Sequence, residues 1–230
     1  MAAMADANAG GFAIREQSAY GQGSSFAGIA AGGSLSSMFW NPATMTQFAG
    51  SGFEGVVSVI MPDATQNYTS STLATGLGPV IPAYATGVDN SGDTAAVPAT
   101  YSSIQINDKL WLGMSVNAPF GLGVGFPVQW AGAGYGQDSK VERHNFTPSV
   151  AYKFNDMISV AAGVQVQYMK VSYSVGLPPS GNTAVISGAG YAYGVTLGAT
   201  ITPTPTTTVG IGYGSALDQD IDGTLSSPVG

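Results

Sequence analysis

The sequence predicts an all-β protein, an antiparallel transmembrane β-barrel that follows about forty-five residues that are not strand. Three observations support this prediction: apolar residues alternate with small and polar ones from about residue 52, the alternating segments are long, and charge is scarce. Only 8% of the 230 residues are charged, against roughly 25% in soluble globular chains. No uninterrupted apolar run reaches the roughly 18 residues of a membrane-spanning helix.

The alternation is clearest in residues 157–169, MISVAAGVQVQYM, where apolar residues occupy one face and Ser, Gly and Gln the other. Residues 145–154, 191–202 and 209–214 repeat the pattern. A tilted membrane strand needs roughly 9–11 residues, whereas strands of globular proteins are most often about five or six long. Length and pattern therefore both indicate one row of side chains facing lipid and one facing a lumen.

Strands and loops follow from the same pattern. We expect strands near 51–61, 96–106, 110–119, 141–154, 157–174, 189–202 and 206–216, with an eighth beginning near 217–227. The connections at 107–109, 155–156 and 202–205 are short, while those at 62–95, 119–140 and 175–188 are long. Bacterial outer-membrane barrels have short turns at one rim and long loops at the other. Because closed barrels have an even strand number, we expect these residues to be about the first half of a larger barrel.

Aromatic residues near the strand ends are expected to form the girdle of a membrane barrel, where the lipid meets water. The candidates are Trp111, Tyr152, Phe154, Tyr168, Tyr191, Tyr193 and Tyr213.

The N-terminus reads MAAMADANAG, and Ala5-Asp6-Ala7 fits the small-x-small pattern of a signal-peptidase site. The resulting division is a signal-peptide remnant at 1–7, a plug (hatch) at 8–48 and a partial barrel at 49–230. A flexible Ala-rich tail is the alternative for the first residues.

Composition excludes several functions. The net charge of −7 leaves no basic patch for nucleic acid, and there is no cysteine for thiolate chemistry. The single histidine, His144, adjoins Asn145, but neighbouring strand residues point to opposite faces and cannot form a relay. Asp218, Asp220 and Asp222 share a face, which suggests a hydrated rim rather than a cation site. We therefore expect no enzyme activity, cofactor or metal.

Apolar residues in segments expected to face water indicate a ligand or partner site. Residues 119–130, PFGLGVGFPVQW, are one such segment, and residues 10–45 are another. The candidate ligand-contacting residues are Phe12, Ile14, Phe39, Trp40, Phe120, Leu122, Phe126 and Trp130.

The third strand contains a predicted break at Asn117, Pro119 and Gly121. Proline cannot donate to a strand ladder, and glycine after an aromatic residue permits a bend. Either the strand ends at Pro119 and a loop begins, or a kink opens a lateral window in the barrel wall.

The motifs GFAIREQSAYGQGSSFAG (11–28) and WNPA (40–43) resemble those of the FadL/TodX family of outer-membrane transporters of long-chain fatty acids and hydrocarbons. Segments 119–123, 145–168 and 202–223 resemble the same family in the same order. The hatch motif falls on Gly11, Phe12, Glu16, Ser18, Gly21, Gly23, Asn41, Pro42 and Ala43.

This resemblance implies a fourteen-stranded barrel with an N-terminal hatch in the outer membrane of a Gram-negative bacterium, monomeric when full length. It also implies passive transport: a fatty acid or hydrocarbon docks on an extracellular groove, binds in the lumen and leaves sideways near the third strand. Outer-membrane lipid or detergent is the other expected partner. Arg15, Lys140 and Arg143 are candidate cations for a free acid. An adhesin or structural barrel without transport is the alternative function.

The stretch SSMFWNPATM (36–45) connects the plug to the barrel. We expect the aromatic pair Phe39 and Trp40 to pack the plug against the wall. Pro42 is expected to fix the turn at which the plug becomes the first strand.

Overall fold

The computed structural model describes residues 14–67, 87–88, 90–119, 121–127, 130, 135–177 and 182–227, with the backbone alone at 87, 88 and 122. Eleven strands lie within these ranges. They are β1 Ser51–Ile60, β2 Gln66–Asn67, β3 Gly87–Val88, β4 Ala95–Asn107, β5 Leu110–Asn117, β6 Gly121–Gly125, β7 Asp138–Lys153, β8 Ile158–Leu177, β9 Asn182–Thr204, β10 Thr207–Gly214 and β11 Asp222–Ser226.

The segment before β1 consists of short helical turns: α1 at Ala19–Gly23 and three 3-10 helices at Ile29–Ala31, Leu35–Phe39 and Pro42–Gln47. Ser18, Ser34 and Asn41 cap three of these turns, because each side-chain oxygen accepts a hydrogen bond from a backbone N–H in the first turn. None of the helices in the described residues is long and apolar enough to cross a membrane. A plug of short turns followed by a first strand at Ser51 agrees with the sequence prediction.

Nine strands form one antiparallel sheet in the order β1-β4-β5-β7-β8-β9-β10. The other two members, β6 and β11, resume pairing on β7 and β9 after β5 and β10 have ended. The first interruption follows Asn117↔Asn145, and pairing resumes at Gly121↔Glu142, which is a register shift of one residue. Within the described residues the sheet therefore has seven strand positions, and two of them are divided by an unpaired stretch.

Two expectations about strands are wrong. The expected eighth strand near 217–227 is absent as a separate line, because β11 pairs with Val185–Ala189 of β9 on the same edge as β10. The expected long loop at 175–188 is mostly strand, since β8 and β9 pair without interruption from Ile158↔Ile201 to Leu177↔Asn182. Both errors arise because Gly, Ser and Thr suit a polar inner row as well as they suit a loop.

The two faces of the sheet differ in chemistry. Exposed apolar side chains cover the outer face, and small or polar side chains cover the inner face. Outer-face examples are Phe53, Val57, Ile104, Leu112, Val116, Phe146, Val150, Val164, Val195 and Leu197, and inner-face examples are Ser58, Ser103, Ser115, Thr147, Ser149, Ser159, Gln167, Thr196 and Thr200. An apolar outer row and a polar inner row are what a membrane barrel requires.

Five of the predicted girdle residues are exposed, and Tyr168 is half-buried beside Tyr191, while the girdle itself stays a prediction. The exposed ones are Tyr152, Phe154, Tyr191, Tyr193 and Tyr213. Trp111 is the exception and its assignment to the girdle is wrong. It lies on the inner face at 3% exposure, and its indole N–H donates to the Phe48 carbonyl at 2.9 Å.

The hydrophobic core lies between the plug and the inner face of the sheet. Leu35, Met38, Ala43 and Met45 of the plug are buried against Val56, Ala99, Tyr101, Trp111, Ala151 and Ala161 of five strands. The third 3-10 helix contacts β5, β7, β8 and β9 together, so the sheet curves around it. The plug therefore lies at the center of the fold. The alternation of apolar residues in the strands did not indicate this position.

Candidate ligand-binding cavity and wall opening

A cavity of ≈ 340 Å³ lies between the plug and the inner faces of β5, β7, β8 and β9. The plug contributes Met38, Phe39 and Trp40 to its lining, and Tyr213 and Leu217 add apolar surface from the edge of the sheet. Phe39 and Trp40 meet edge to face with ring centroids 4.9 Å apart. We call this space the lumen cavity.

The sheet side of the lumen cavity is polar. Asn117 of β5, Asn145 of β7, and Gln165 and Gln167 of β8 line it. Each belongs to the inward row of its strand, and Asn117 and Asn145 are directly paired across β5 and β7. Among the residues that the structure describes, none that lines this cavity is charged. The lumen cavity is therefore amphipathic and neutral, with an aromatic side on the plug and an amide side on the sheet.

A second cavity, of ≈ 650 Å³, lies where β4 and β6 diverge. Its lining includes residues from the inward and the outward rows of these strands, so it lies at the break in the wall rather than on one face alone. We call it the wall opening. Its inner-row residues include Val97, Val141 and Arg143, and its outer-row residues include Pro98, Glu142 and His144.

Ala118 and Pro119, which follow β5, lie between the two cavities. Pro119 lines the lumen cavity, whereas Ala118 and Gly121 line the wall opening. The strand does not end at Pro119, because β6 resumes pairing with β7 at Gly121↔Glu142. Pairing that resumes so soon after Pro119 favours a kink over a loop that begins there, and the kink stays a prediction.

The start of the plug covers the carbonyl groups that the kink leaves unpaired. The backbone N–H of Ile14 donates to the Pro119 carbonyl at 2.9 Å. The side-chain amide of Gln17 donates to the Ala118 carbonyl, also at 2.9 Å. Bare carbonyls at membrane depth cost several kcal/mol, about as much as any unsatisfied group in hydrocarbon. These two hydrogen bonds therefore both stabilise the kink and tie the plug to it.

A hydrogen-bonded chain extends this tie into the sheet. The Tyr101 hydroxyl donates to the Gln17 carbonyl at 2.7 Å, and Asn117 Nδ2 donates to the Tyr101 oxygen at 2.7 Å. Tyr101 is fully buried. Sequence analysis did not single it out, since a tyrosine in an alternating strand resembles any other apolar inward residue.

A second polar cluster anchors the plug to β1. Ser34 Oγ donates to the Glu54 carboxylate at 2.7 Å, and the Ser36 backbone N–H donates to the same carboxylate at 2.9 Å. Ser36 Oγ lies 2.7 Å from Ser18 Oγ, and Ser18 in turn caps α1 through the Gly21 N–H at 2.9 Å. The Ser18 of the hatch motif is thus a buried structural link rather than a ligand contact.

Asn41 is the most connected residue of the hatch motif. Its Oδ1 accepts from the Ala43 N–H at 3.0 Å, while Nδ2 donates to the carbonyls of Ala30 at 2.7 Å and Ala199 at 2.8 Å. Ala199 belongs to β9, so the asparagine joins two parts of the plug to the wall. Pro42 follows as the first residue of the third 3-10 helix, where a missing N–H costs little.

Pro42 therefore does not fix the turn into the first strand, as the sequence suggested. The third 3-10 helix intervenes, and the turn is at Gly50, whose φ of 75° suits glycine. Of the remaining motif residues, Ala43 is fully buried, and a Cβ at Gly21 would lie 2.8 Å from the Phe26 ring. Glu16 offers its carbonyl to Ser58 Oγ, and Gly23 is exposed with open space around it.

The predicted ligand-contacting residues divide into four groups. Phe39 and Trp40 line the lumen cavity, and Ile14 lines the wall opening. Phe126 and Trp130 stack on each other with centroids 4.0 Å apart, and neither lines either cavity. Phe12, Phe120 and the side chain of Leu122 lie outside the described residues. Sequence analysis missed Thr147, Gln165, Gln167 and Thr196 as cavity residues, although each lies in the polar row of its strand.

The candidate cations lie in different places. Lys140 and Arg143 line the wall opening, where Lys140 pairs with Glu142 at 2.7 Å and Arg143 Nε donates to Met169 Sδ at 3.2 Å. Arg15 is exposed and lines neither cavity. The wall opening thus holds two cations beside the carboxylates of Asp93 and Glu142.

His144, Asn145 and three aspartates are the residues that the sequence offered for catalysis or metal binding. His144 is exposed on the outer face and Asn145 is buried on the inner face, so the expectation that they point apart is confirmed. Asp218, Asp220 and Asp222 are exposed. Within the described ranges no group of three or more His, Asp or Glu residues is arranged to hold a metal ion.

Accessibility of the plug gives a first prediction. A thiol at Ser36, which is fully buried beneath the Glu54 cluster, should react slowly with a water-soluble maleimide, whereas Gly23→Cys should react quickly because Gly23 is exposed. Labelling rates of Ser36→Cys and Gly23→Cys on folded protein in detergent measure the difference. Equal rates would mean that the plug is not docked as the structure shows.

A curved antiparallel sheet with an apolar outside, a polar inside and a helical plug defines a membrane β-barrel protein with an internal hatch. A family profile described as outer membrane protein transport protein (OMPP1/FadL/TodX) matches residues 1–229. The chain belongs to this family, which is one of outer-membrane transport proteins and not of enzymes. This confirms the resemblance found in the sequence and the expected outer-membrane location.

Individual relatives agree with this assignment. Outer membrane protein P1 of Haemophilus influenzae is 30% identical over 171 residues, covering 71% of this chain and 37% of the relative. A putative outer membrane protein of Neisseria meningitidis serogroup B is 29% identical over 119 residues, covering 52% of this chain and 25% of the relative. The crystal structure of a Pseudomonas aeruginosa FadL homologue superimposes with a TM-score of 0.67 at 22% identity, covering 90% of this chain and 53% of that one. The chain thus spans only about a quarter to a half of the length of these proteins.

Proposed function

We propose that the protein moves hydrophobic small molecules, long-chain fatty acids or aromatic and aliphatic hydrocarbons, passively across the outer membrane. In this proposal the ligand binds in the lumen cavity and leaves sideways through the wall opening. The observation that carries the proposal is the pair of cavities on the two sides of the kink, one on the inner face of the sheet and one at the break in the wall. Membership of a family of outer-membrane transport proteins supports the same function.

Burial of apolar surface supplies the driving force. Each Å² of apolar ligand surface removed from water stabilises the bound state by roughly 25 cal/mol, and the membrane interior offers the same gain at the end of the route. Met38, Phe39 and Trp40 provide apolar contact in the lumen cavity, and Val97, Val141 and Pro98 provide it in the wall opening. Movement along this route needs no chemical step, which agrees with a site built without a nucleophile and base.

The plug would act as the closure between the cavities. Ile14 and Gln17 donate hydrogen bonds to the carbonyls of Pro119 and Ala118 at the kink. Ile14 also lines the wall opening. Displacement of these two residues would connect the cavities, and the exposed kink carbonyls would then be open to a passing headgroup or water. An anionic ligand would meet Arg143 at this point, whereas a hydrocarbon would need no charged partner.

The experiment that tests this function closes the kink. Pro119→Val restores a backbone donor to the strand. Gly121→Val adds a side chain whose Cβ would lie only 3.1 Å from Ile14 Cδ1. We expect the double variant to reduce uptake of a labelled long-chain fatty acid or alkane about tenfold in cells that lack their own transporter, since the wall opening becomes narrower.

Pro148→Val is the matched control, because Pro148 is an outer-face strand proline of β7 away from the opening. It should leave uptake unchanged. If cells with the wild-type protein take up no more ligand than cells with the empty vector, transport is refuted. Normal uptake by the double variant would show that the exit lies elsewhere.

A further inference from the structure

The buried pair Asn117 and Asn145 is a built polar site within the lumen cavity. The two residues face each other across β5 and β7, and they are 2% and 5% exposed. Directly opposed strand residues have Cβ atoms about 4.5–5.5 Å apart, so the two amides lie side by side. Neither Oδ1 atom has a hydrogen-bond partner among the described residues, although both atoms are buried.

The orientation of the Asn117 amide follows from its neighbours. Tyr101 has one hydroxyl proton and gives it to the Gln17 carbonyl, which can only accept. The Tyr101 oxygen must therefore accept from Asn117, which fixes Nδ2 toward Tyr101. The carbonyl oxygen Oδ1 of Asn117 is then the atom left without a partner.

The Asn145 amide is fixed in the same way. Gln165 Nε2 donates to the Val195 backbone carbonyl, so Gln165 Oε1 is free to act as an acceptor. Asn145 Nδ2 donates to that oxygen and to Thr147 Oγ1, which leaves Asn145 Oδ1 without a partner. Two hydrogen-bond acceptors in fixed positions thus lie next to each other, and an unsatisfied buried acceptor favours any ligand that brings a donor.

We propose that this asparagine pair binds the uncharged hydrogen-bond-donating headgroup of an amphiphile, a hydroxyl or a protonated carboxyl group, whose chain lies against Phe39 and Trp40. This inference rests on the proposed function and narrows its substrate class. A carboxylate cannot donate to the pair, and its charge would be buried without a counter-ion, because no described residue that lines the cavity is charged. An ammonium group can donate but would suffer the same loss of hydration. A plain hydrocarbon would leave both acceptors unsatisfied.

The test compares ten-carbon chains that end in a hydroxyl, a carboxylate, an ammonium or a methyl group. Trp40 lines the lumen cavity, so quenching of its fluorescence by bromine-labelled versions of these chains reports occupancy, with Trp40→Phe as the background. In detergent-purified wild-type protein at pH 8 we expect the alcohol to bind about tenfold more tightly than the other three, relative to their partition into micelles alone.

Two variants test whether the asparagine pair, rather than the rest of the lumen cavity, causes the preference for the alcohol. Asn145→Leu removes one acceptor at similar volume and should abolish the preference for the alcohol over the alkane while the alkane still binds. Ser149→Ala is the matched control, since Ser149 lies in the same inward row of β7 outside the cavity, and it should keep the preference.

The outcomes distinguish the two proposals. Alkane binding as tight as alcohol binding in the wild type, or carboxylate binding as tight as alcohol binding, would overturn the role of the asparagine pair and leave the transport proposal intact. Quenching by none of the four chains would overturn both. If Asn145→Leu does not fold, the wild-type comparison of the four chains still decides the question.

Discussion

The substitution Gly210→Ala is expected to release the plug from the sheet. A Cβ at Gly210 would overlap the carbonyl oxygen and carbon of Ala30, and these are backbone atoms that cannot rotate away. Overpacking of this kind costs about 1–3 kcal/mol. If the cost falls on plug docking, the undocked population rises about five- to hundredfold. The Ser36→Cys thiol should therefore react faster in the Gly210→Ala background by about that factor.

Gly214→Ala provides the matched control for this prediction. Gly214 lies on the same strand, but a Cβ there finds its nearest neighbour, Gln165 Nε2, at an ordinary 3.5 Å. Labelling of Ser36→Cys should remain slow in that background. Slow labelling in both backgrounds would show that β10 shifts to admit the methyl group and that the plug does not depend on this close approach.

The substitution Asn41→Leu is expected to have the largest effect on stability. It leaves the buried Ala43 N–H and the part-buried carbonyls of Ala30 and Ala199 without the Asn41 side chain. Each unsatisfied buried group costs about 1–3 kcal/mol, so the free energy of unfolding should fall by about 3 kcal/mol or more. Denaturant unfolding of the detergent-folded protein measures this change.

Gln47→Leu is the control that separates the effect of burial from the effect of losing a bridging amide. Gln47 is exposed, and its amide also bridges parts of the plug by donating to the Ala31 carbonyl at 2.7 Å. Because water can replace that bond, the loss should stay below about 1 kcal/mol. Equal losses for Asn41→Leu and Gln47→Leu would contradict the view that Asn41 acts through buried backbone groups.

The close approach at Gly198 explains why these two predictions concern the same interface. A Cβ at Gly198 would overlap Asn41 Oδ1 and lie 2.9 Å from Pro42 Cδ. The alternating glycines of β9 and β10 thus give the Asn-Pro-Ala turn a flat surface to lie on. In the sequence these glycines indicated only an inward row of small residues.

The sequence by itself determined the class of fold and the alternation that places apolar residues outside. These features depend on local periods and on composition, which a lipid environment imposes on every strand in the same way. The plug before Ser51 followed from the resemblance of its motifs to the family. The sequence also predicted a break at Asn117, Pro119 and Gly121, because proline cannot donate to a ladder wherever the strand lies.

Only the tertiary structure decided which inward residues meet. Asn117 and Asn145 are 28 residues apart in the sequence and become neighbours through the register of β5 and β7, while Asn41 of the plug hydrogen-bonds to Ala199, which is 158 residues further along the chain. Strand pairing was also needed to show that the third strand continues as β6 and that β11 continues β10. It likewise showed that Trp111 is buried on the inner face. The physical reason is that period-2 alternation assigns a side chain to a face, whereas its neighbours on that face depend on long-range register, which no local pattern encodes.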